Sequence, residues 1–224
     1  MKTIQDCFES IEKLLINQGW AITMASQFEI QPFDRLILEI ATHLGTPRAS
    51  LKGGPIIDNL VPIEFTKARP NSLSAKYGTQ AFPWHIDGSH WPTPPRYLVF
   101  GCVSSSLNSA STNILDRSQV ALLNRTEAKT YPFLIKNGAR SFYSTVTSDL
   151  RPFIRYDPGC MYPLDSRGYE LQRNIEEVDL KKTKQIIWEP GTIAVIDNWR
   201  CLHKRSDIYM DNKRHLLRAT IMDR

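Results

Sequence analysis

The sequence predicts an α+β chain, or a sheet sandwich with helical support. Two amphipathic helical patterns open it, short β-like runs fill most of the remainder, and the last third is strongly β in character. The 224 residues suit one domain, 1–224, with a sizeable core. No repeat, low-complexity tract or linker divides them.

Residues 4–17 predict the first helix. Ile4, Phe8, Ile11, Leu14 and Leu15 recur at three- and four-residue intervals, and Gly19 ends the run. Trp20–Met24 predicts a short strand. A second helix is expected over 32–44, with Phe33, Leu36, Leu38, Ile40 and Leu44 in apolar contact and Gly45 stopping it. Between Gly53 and Pro95 the chain is rich in Gly, Pro, Asn and Ser, which predicts loops that carry binding residues. RYLVFGCV after Pro95 and ASTNILD at 110–116 predict strands, and Asp116 can cap a short helix through Leu123. Strands are also expected over 140–146 and 152–156, then a charged helix over 170–184. GTIAVID at 191–197 and HLLRATI at 215–221 predict the closing strands.

Composition excludes several classes. The formal charge of +5 is spread out, densest at KK 181–182 and KR 204–205, so nucleic acid is not the expected partner. No apolar run is long enough for a membrane span, and the acidic N-terminus is not a signal peptide. Cys7, Cys102, Cys160 and Cys201 form no C-x-x-C pair and read as free thiols of a reducing cytoplasm.

The chemistry begins at FPWHIDGSHW. His85 and Asp87 are two residues apart, so an extended backbone points both side chains to one side. Taken alone, H-x-D also fits a loop histidine bonded to its neighbouring carboxylate. DNWRCLHKR supplies a third donor, His203. Two imidazoles and one carboxylate on one octahedral face leave three positions open, which suits iron(II) binding an organic acid and oxygen together. Arg214 follows His203 by eleven positions at the start of the last strand, with Arg218 four residues further on the same face. A guanidinium facing a β-barrel interior calls for an anion, and a carboxylate fits it in bidentate fashion.

HIDGSHW, ASTNILD, PGTIAVIDNWRCLHKR and KRHLLRATI, in this order, resemble the taurine dioxygenase-like (TauD/TfdA, clavaminate synthase-like) family, with its γ-butyrobetaine hydroxylase relatives. The resemblance runs from about Asn71 to Arg224. It implies a double-stranded β-helix, a cupin-like jelly roll, with helices flanking it at the N-terminus. It also implies Fe(II) and 2-oxoglutarate, with His85, Asp87 and His203 as iron ligands. Thr112 matches the threonine, and Arg214 the arginine, that hold the far carboxylate of 2-oxoglutarate. Arg218 matches a second arginine that reaches either a substrate acid or the inner carboxylate of 2-oxoglutarate. The implied activity hydroxylates, desaturates or cleaves a small, conceivably acidic, molecule with O2, releasing succinate and CO2. The intact Asp87 sets the chain apart from related halogenases. Ser109, Ala110 and Ser111 stand where many relatives carry a glycine pair, and the chain is short, which implies a reduced lid. A homo-oligomer is compatible with the sequence.

Two other readings compete. A zinc hydrolase could use the same ligands with a water in the fourth place, but has no use for Arg214 with Thr112. A non-catalytic jelly-roll binder has no reason to keep all three ligands. Trp91 is the candidate pocket wall, while Trp84 and Trp199 read as packing. His90 stands between a substrate contact and a rim residue, and Arg96 between an anchor and a surface charge. Arg155 fits a substrate contact or an ion pair with Asp157. His43 and His215 read as lying outside the site.

Overall fold

A computed structural model describes residues 3–106, 109–208 and 213–223. The first half contains α1 (Ile4–Gln18), β1 (Trp20–Met24), α2 (Phe33–Leu44), β2 (Thr46–Pro47), β3 (Ile57–Leu60), α3 (Leu73–Tyr77), β4 (Tyr97–Ser104) and β5 (Thr112–Asp116). The second contains α4 (Thr126–Thr130), β6 (Phe133–Asn137), β7 (Arg140–Ser144), β8 (Met161–Pro163), α5 (Ser166–Glu176), β9 (Lys184–Ile186), β10 (Thr192–Asp197), β11 (Cys201–Arg205) and β12 (His215–Met222).

Local chemistry sets the first elements. Thr3 and Asp6 form a reciprocal capping box at the head of α1, and Gly19, at φ 84°, closes its end in the left-handed region. Cys7, Ile11 and Leu15 form the buried stripe of α1. In α2 the buried residues are Leu36, Ile37, Ile40 and Ala41. Leu38, expected inside, is exposed, because it lies two positions from Leu36 on a helix of 3.6 residues per turn.

The larger sheet runs β1-β10-β4-β12-β2, with β3 also paired to β12, and every pairing is antiparallel. A second sheet runs β11-β5-β9 and a third β7-β6-β8. Alternation along the strands divides the core. Leu98, Phe100, Cys102, Ala194, Ile196 and Leu216 face Ile114, Ile186 and Cys201 of the second sheet. The intervening Val99, Ile193, Val195, Leu217, Ala219 and Ile221 pack under α1 and α2. A Cβ on Gly101 would sit 2.5 Å from Ile37 Cδ1 and 2.8 Å from the Phe33 ring, so α2 rests where β4 has no side chain. Two facing antiparallel sheets with N-terminal helices behind the larger one make the jelly-roll type expected from the sequence.

Several local expectations change. Residues 152–156 are not a strand but a buried connection, bonded through Ile154 N to Trp199 O and Arg155 N to Val146 O. The charged helix ends at Glu176, and Lys184–Ile186 belongs to the second sheet instead. The Gly- and Pro-rich stretch contains β3 and α3. β6, β8 and β11 were not expected from the sequence. The four cysteines are free. No helix among the described residues is long and apolar enough to cross a membrane.

Candidate metal centre

β11 and the HxD segment meet side by side. His85 N donates to His203 O at 3.0 Å and His203 N to His85 O at 2.9 Å, a two-residue antiparallel bridge. The extended backbone turns Trp84 and Ile86 into the core, each fully buried, and leaves His85 and Asp87 on the opposite side. His203 lies opposite Ile114 of β5 and therefore faces the space between the sheets. His85 Nε2 is 3.7 Å and His203 Nε2 3.6 Å from the same oxygen, Asp87 Oδ1. One donor atom from each residue lies within 4.8 Å of the others.

The surroundings prepare these donors. His85 Nδ1 is 2.9 Å from Pro83 O, a contact that places the proton on Nδ1 and the lone pair on Nε2. Burial, then the neighbouring His203, pulls the His85 pKa down to about 3, so the ring is neutral at ordinary pH. Burial pushes Asp87 the other way. The Arg218 guanidinium, then the adjacent His203, outweigh it and hold the carboxyl far below its usual range. A neutral imidazole at His85 and an ionised carboxylate at Asp87 are the protonation states a dication requires of them. His203 Nδ1 is buried without a hydrogen-bond partner among the described residues.

Groups with no sequence signal hold the segment. Asn198 receives Asp87 N at 2.9 Å on its Oδ1, and its Nδ2 donates to Asp87 O at 3.0 Å and Pro95 O at 2.8 Å. Glu176 receives Trp84 N at 3.2 Å and the Tyr156 hydroxyl at 2.9 Å. Neither was singled out, since nothing in a sequence marks an amide or a helix carboxylate as a backbone clamp. Arg155 makes no ion pair with Asp157 among the described residues. It is buried and donates to the carbonyls of Ser89, Trp91 at 2.6 Å and Pro92 at 2.7 Å, strapping the loop that follows Asp87.

The remaining candidates fall as follows. Thr112 lies opposite Arg205 on the inner face of β5, and its Oγ1 accepts from Trp188 Nε1 at 3.0 Å, leaving its proton to donate elsewhere. Arg214 precedes β12 rather than starting it, and a register shift between His215 and Leu216 separates it from Arg218. Its Nη1 donates to Ala110 O at 3.2 Å, two residues before Thr112, and burial lowers its pKa to about 10. Arg218 donates to Asp87 Oδ2 at 2.6 Å and to Asp58 Oδ2 at 2.8 Å.

Arg205, part of the basic spot KR 204–205, is buried two residues beyond His203. It lies 3.6 Å over the Phe82 ring and donates to Gly78 O and Gln80 O. Burial, then Arg214, draws its pKa to about 9. His90 is half-buried beside Trp91, whose ring carries Arg48 at 4.7 Å. Trp199 donates to Pro94 O, Arg96 pairs with Asp223, His215 bonds Asn59, and His43 meets Glu12.

Asp157 carries a pH prediction. Its carboxylate accepts from Gly159 N and Cys160 Sγ, and burial raises its pKa from 3.8 to about 6. Between those values the folded chain holds a proton that the unfolded chain releases. Its contribution therefore falls as pH rises through that window and stays lost above it. Asp157→Asn keeps the acceptor without the charge. It is expected to be more stable than wild type by about 1–2 kcal/mol at pH 7.5, allowing for the solvent the side chain still meets. The gain should vanish near pH 4. Urea unfolding at the two pH values checks this, and an equal difference at both would refute it.

Comparisons with known proteins agree with this geometry. Residues 136–220, which include His203, Arg214 and Arg218, match the family described as Taurine catabolism dioxygenase TauD, TfdA family. No curated protein sequence matches. Among solved structures, asparagine oxygenase in complex with Fe(II), 2S,3S-3-hydroxyasparagine and succinate is similar at TM-score 0.78 and 15% identity. That match covers 97% of this chain and 79% of the other. The non-haem iron oxygenase OrfP, in complex with Fe and alpha-ketoglutaric acid, is similar at TM-score 0.70 and 18% identity, over 99% and 80% of the two chains. At such identities the likeness speaks for the fold.

Proposed function

We propose that this chain, a member of the TauD/TfdA family of 2-oxoglutarate-dependent non-haem iron oxygenases, oxidises a small organic molecule and that residues 1–224 act as one catalytic domain. The convergence of His85 Nε2, His203 Nε2 and Asp87 Oδ1 carries this reading. These three atoms would hold Fe(II). Bound together, iron and 2-oxoglutarate would supply an oxidant for a C–H bond, with release of succinate and CO2.

The residues supply orientation and charge. Arg214 and the Thr112 hydroxyl take the far carboxylate of 2-oxoglutarate. The geometry supports this: Arg214 is buried and tied to the approach to β5 through Ala110 O, two residues before Thr112. His85 is fixed in one tautomer by Pro83, and Asp87 in one place by Asn198. Arg218 is held by two carboxylates, so it is assigned to Asp87 rather than to a substrate acid or the inner carboxylate. Asp87 occupies the place a halide would need, which favours hydroxylation, desaturation or oxidative cleavage.

Mixing the protein with Fe(II) and 2-oxoglutarate without oxygen is expected to give a weak visible absorption. Admitting oxygen should then yield succinate. Tight zinc with no absorption would support the hydrolase reading instead, and absorption without succinate under any candidate substrate would support a binding protein.

A further inference from the structure

β3 adds to the edge of β12 and sets Asp58 directly opposite Arg218. Asp58 Oδ2 accepts from Arg218 Nη2 at 2.8 Å and Nε at 3.3 Å, while its Oδ1 accepts from Ser50 Oγ at 2.9 Å. The other arm of the guanidinium, Nη1, donates to Asp87 Oδ2 at 2.6 Å. A continuous line therefore runs from Ser50 through Asp58 and Arg218 to the carboxylate at the metal centre.

The line divides the two oxygens of Asp87. Oδ1 is the atom both imidazoles approach, and Oδ2 is turned to Arg218. The division matters chemically. A carboxylate that swings until both oxygens touch an ion takes a fourth coordination position, and a three-position opening becomes two. A guanidinium held on one side only could also leave Asp87 for a passing diacid. Asp58 holds Arg218 from the opposite side, and Ser50 orients Asp58.

We infer that Asp58 is a positioning residue, which through Arg218 keeps Asp87 a one-oxygen metal ligand and keeps that arginine from serving as an anchor for anionic substrate or co-substrate. The inference rests on the oxygenase reading above and adds a residue to it. Partners behind metal ligands are worth about 10–100-fold in metal affinity.

Asp58→Asn preserves size and removes the charge. Anaerobic Fe(II) titration is expected to show affinity about 10–100-fold weaker than wild type. The visible band of the Fe(II)–2-oxoglutarate complex should shift in position. The 2-oxoglutarate dissociation constant at saturating Fe(II) should stay within about threefold. A lowered melting temperature with wild-type Fe(II) affinity and an unmoved band would overturn the inference, because a merely structural pair would behave that way. So would a 2-oxoglutarate dissociation constant raised more than Fe(II) binding. If Asp58→Asn does not fold, Ser50→Ala is the test: Fe(II) affinity weakened about threefold supports the line, and wild-type affinity overturns it. A wild-type protein that binds no Fe(II) removes the oxygenase reading beneath the inference. A wild type that binds, with variants indistinguishable from it, removes only the role of Asp58.

Discussion

Asp87→Ala is expected to abolish 2-oxoglutarate-dependent oxygen uptake. The variant removes the one carboxylate donor, leaving only two imidazoles to hold a dication. Its Oδ1 is the atom both Nε2 nitrogens share, so no other described side chain completes the set. Removing the single carboxylate should weaken Fe(II) binding by more than the roughly 10–100-fold that a partner behind a ligand is worth. The folding cost should be smaller. Arg218 loses one partner but keeps Asp58, so the cation is not stranded. A loss of about 1–3 kcal/mol is expected in denaturant unfolding of the metal-free protein. Oxygen-electrode traces and bound-iron measurements check the first part. Turnover at the wild-type rate would contradict the metal assignment outright.

Arg214→Leu is expected to raise the KM for 2-oxoglutarate strongly while leaving Fe(II) affinity near wild type. The buried guanidinium donates to Ala110 O two residues before Thr112, which places it beside the hydroxyl proposed to share the far carboxylate. Truncating one member of a buried, hydrogen-bonded charge pair costs about 2–5 kcal/mol. That corresponds to a rise of roughly 30-fold to several thousand-fold in KM. Steady-state kinetics in 2-oxoglutarate, with a separate iron titration, reads the two effects apart. A KM within about twofold of wild type, only a few tenths of a kcal/mol, would place the co-substrate elsewhere.

The two assignments differ in how visible they were. His85 and Asp87 announce themselves because a period of two places alternate residues together, and the buried Trp84 and Ile86 confirm the alternation residue by residue. Arg214 and Arg218 were read as neighbours on one strand face. The register shift after His215 changes that geometry, and a bulge has no reliable signature in HLLRATI. Arg205 was read only as part of a dense basic spot, KR 204–205. Its burial follows from its position two residues beyond His203, opposite Thr112, on a strand not expected from the sequence. The expected pairing of Arg155 with Asp157 fails for a related reason. A guanidinium that satisfies three backbone carbonyls cannot be told by sequence from one that binds substrate.

By itself the sequence determined the opening helices with the glycines that end them, the long strands, and the donor types of the metal centre. Each of these is a local property, carried by spacing along ten or so residues. Only the tertiary structure decided which atoms meet. It brought His203 beside His85 across more than a hundred residues, gave Arg218 to Asp87 and Asp58, and made clamps of Asn198 and Glu176. Those contacts depend on sheet register and on the order in which strands neighbour one another. Both are settled by packing the two sheets and their helices together, a global balance that no short stretch of residues encodes.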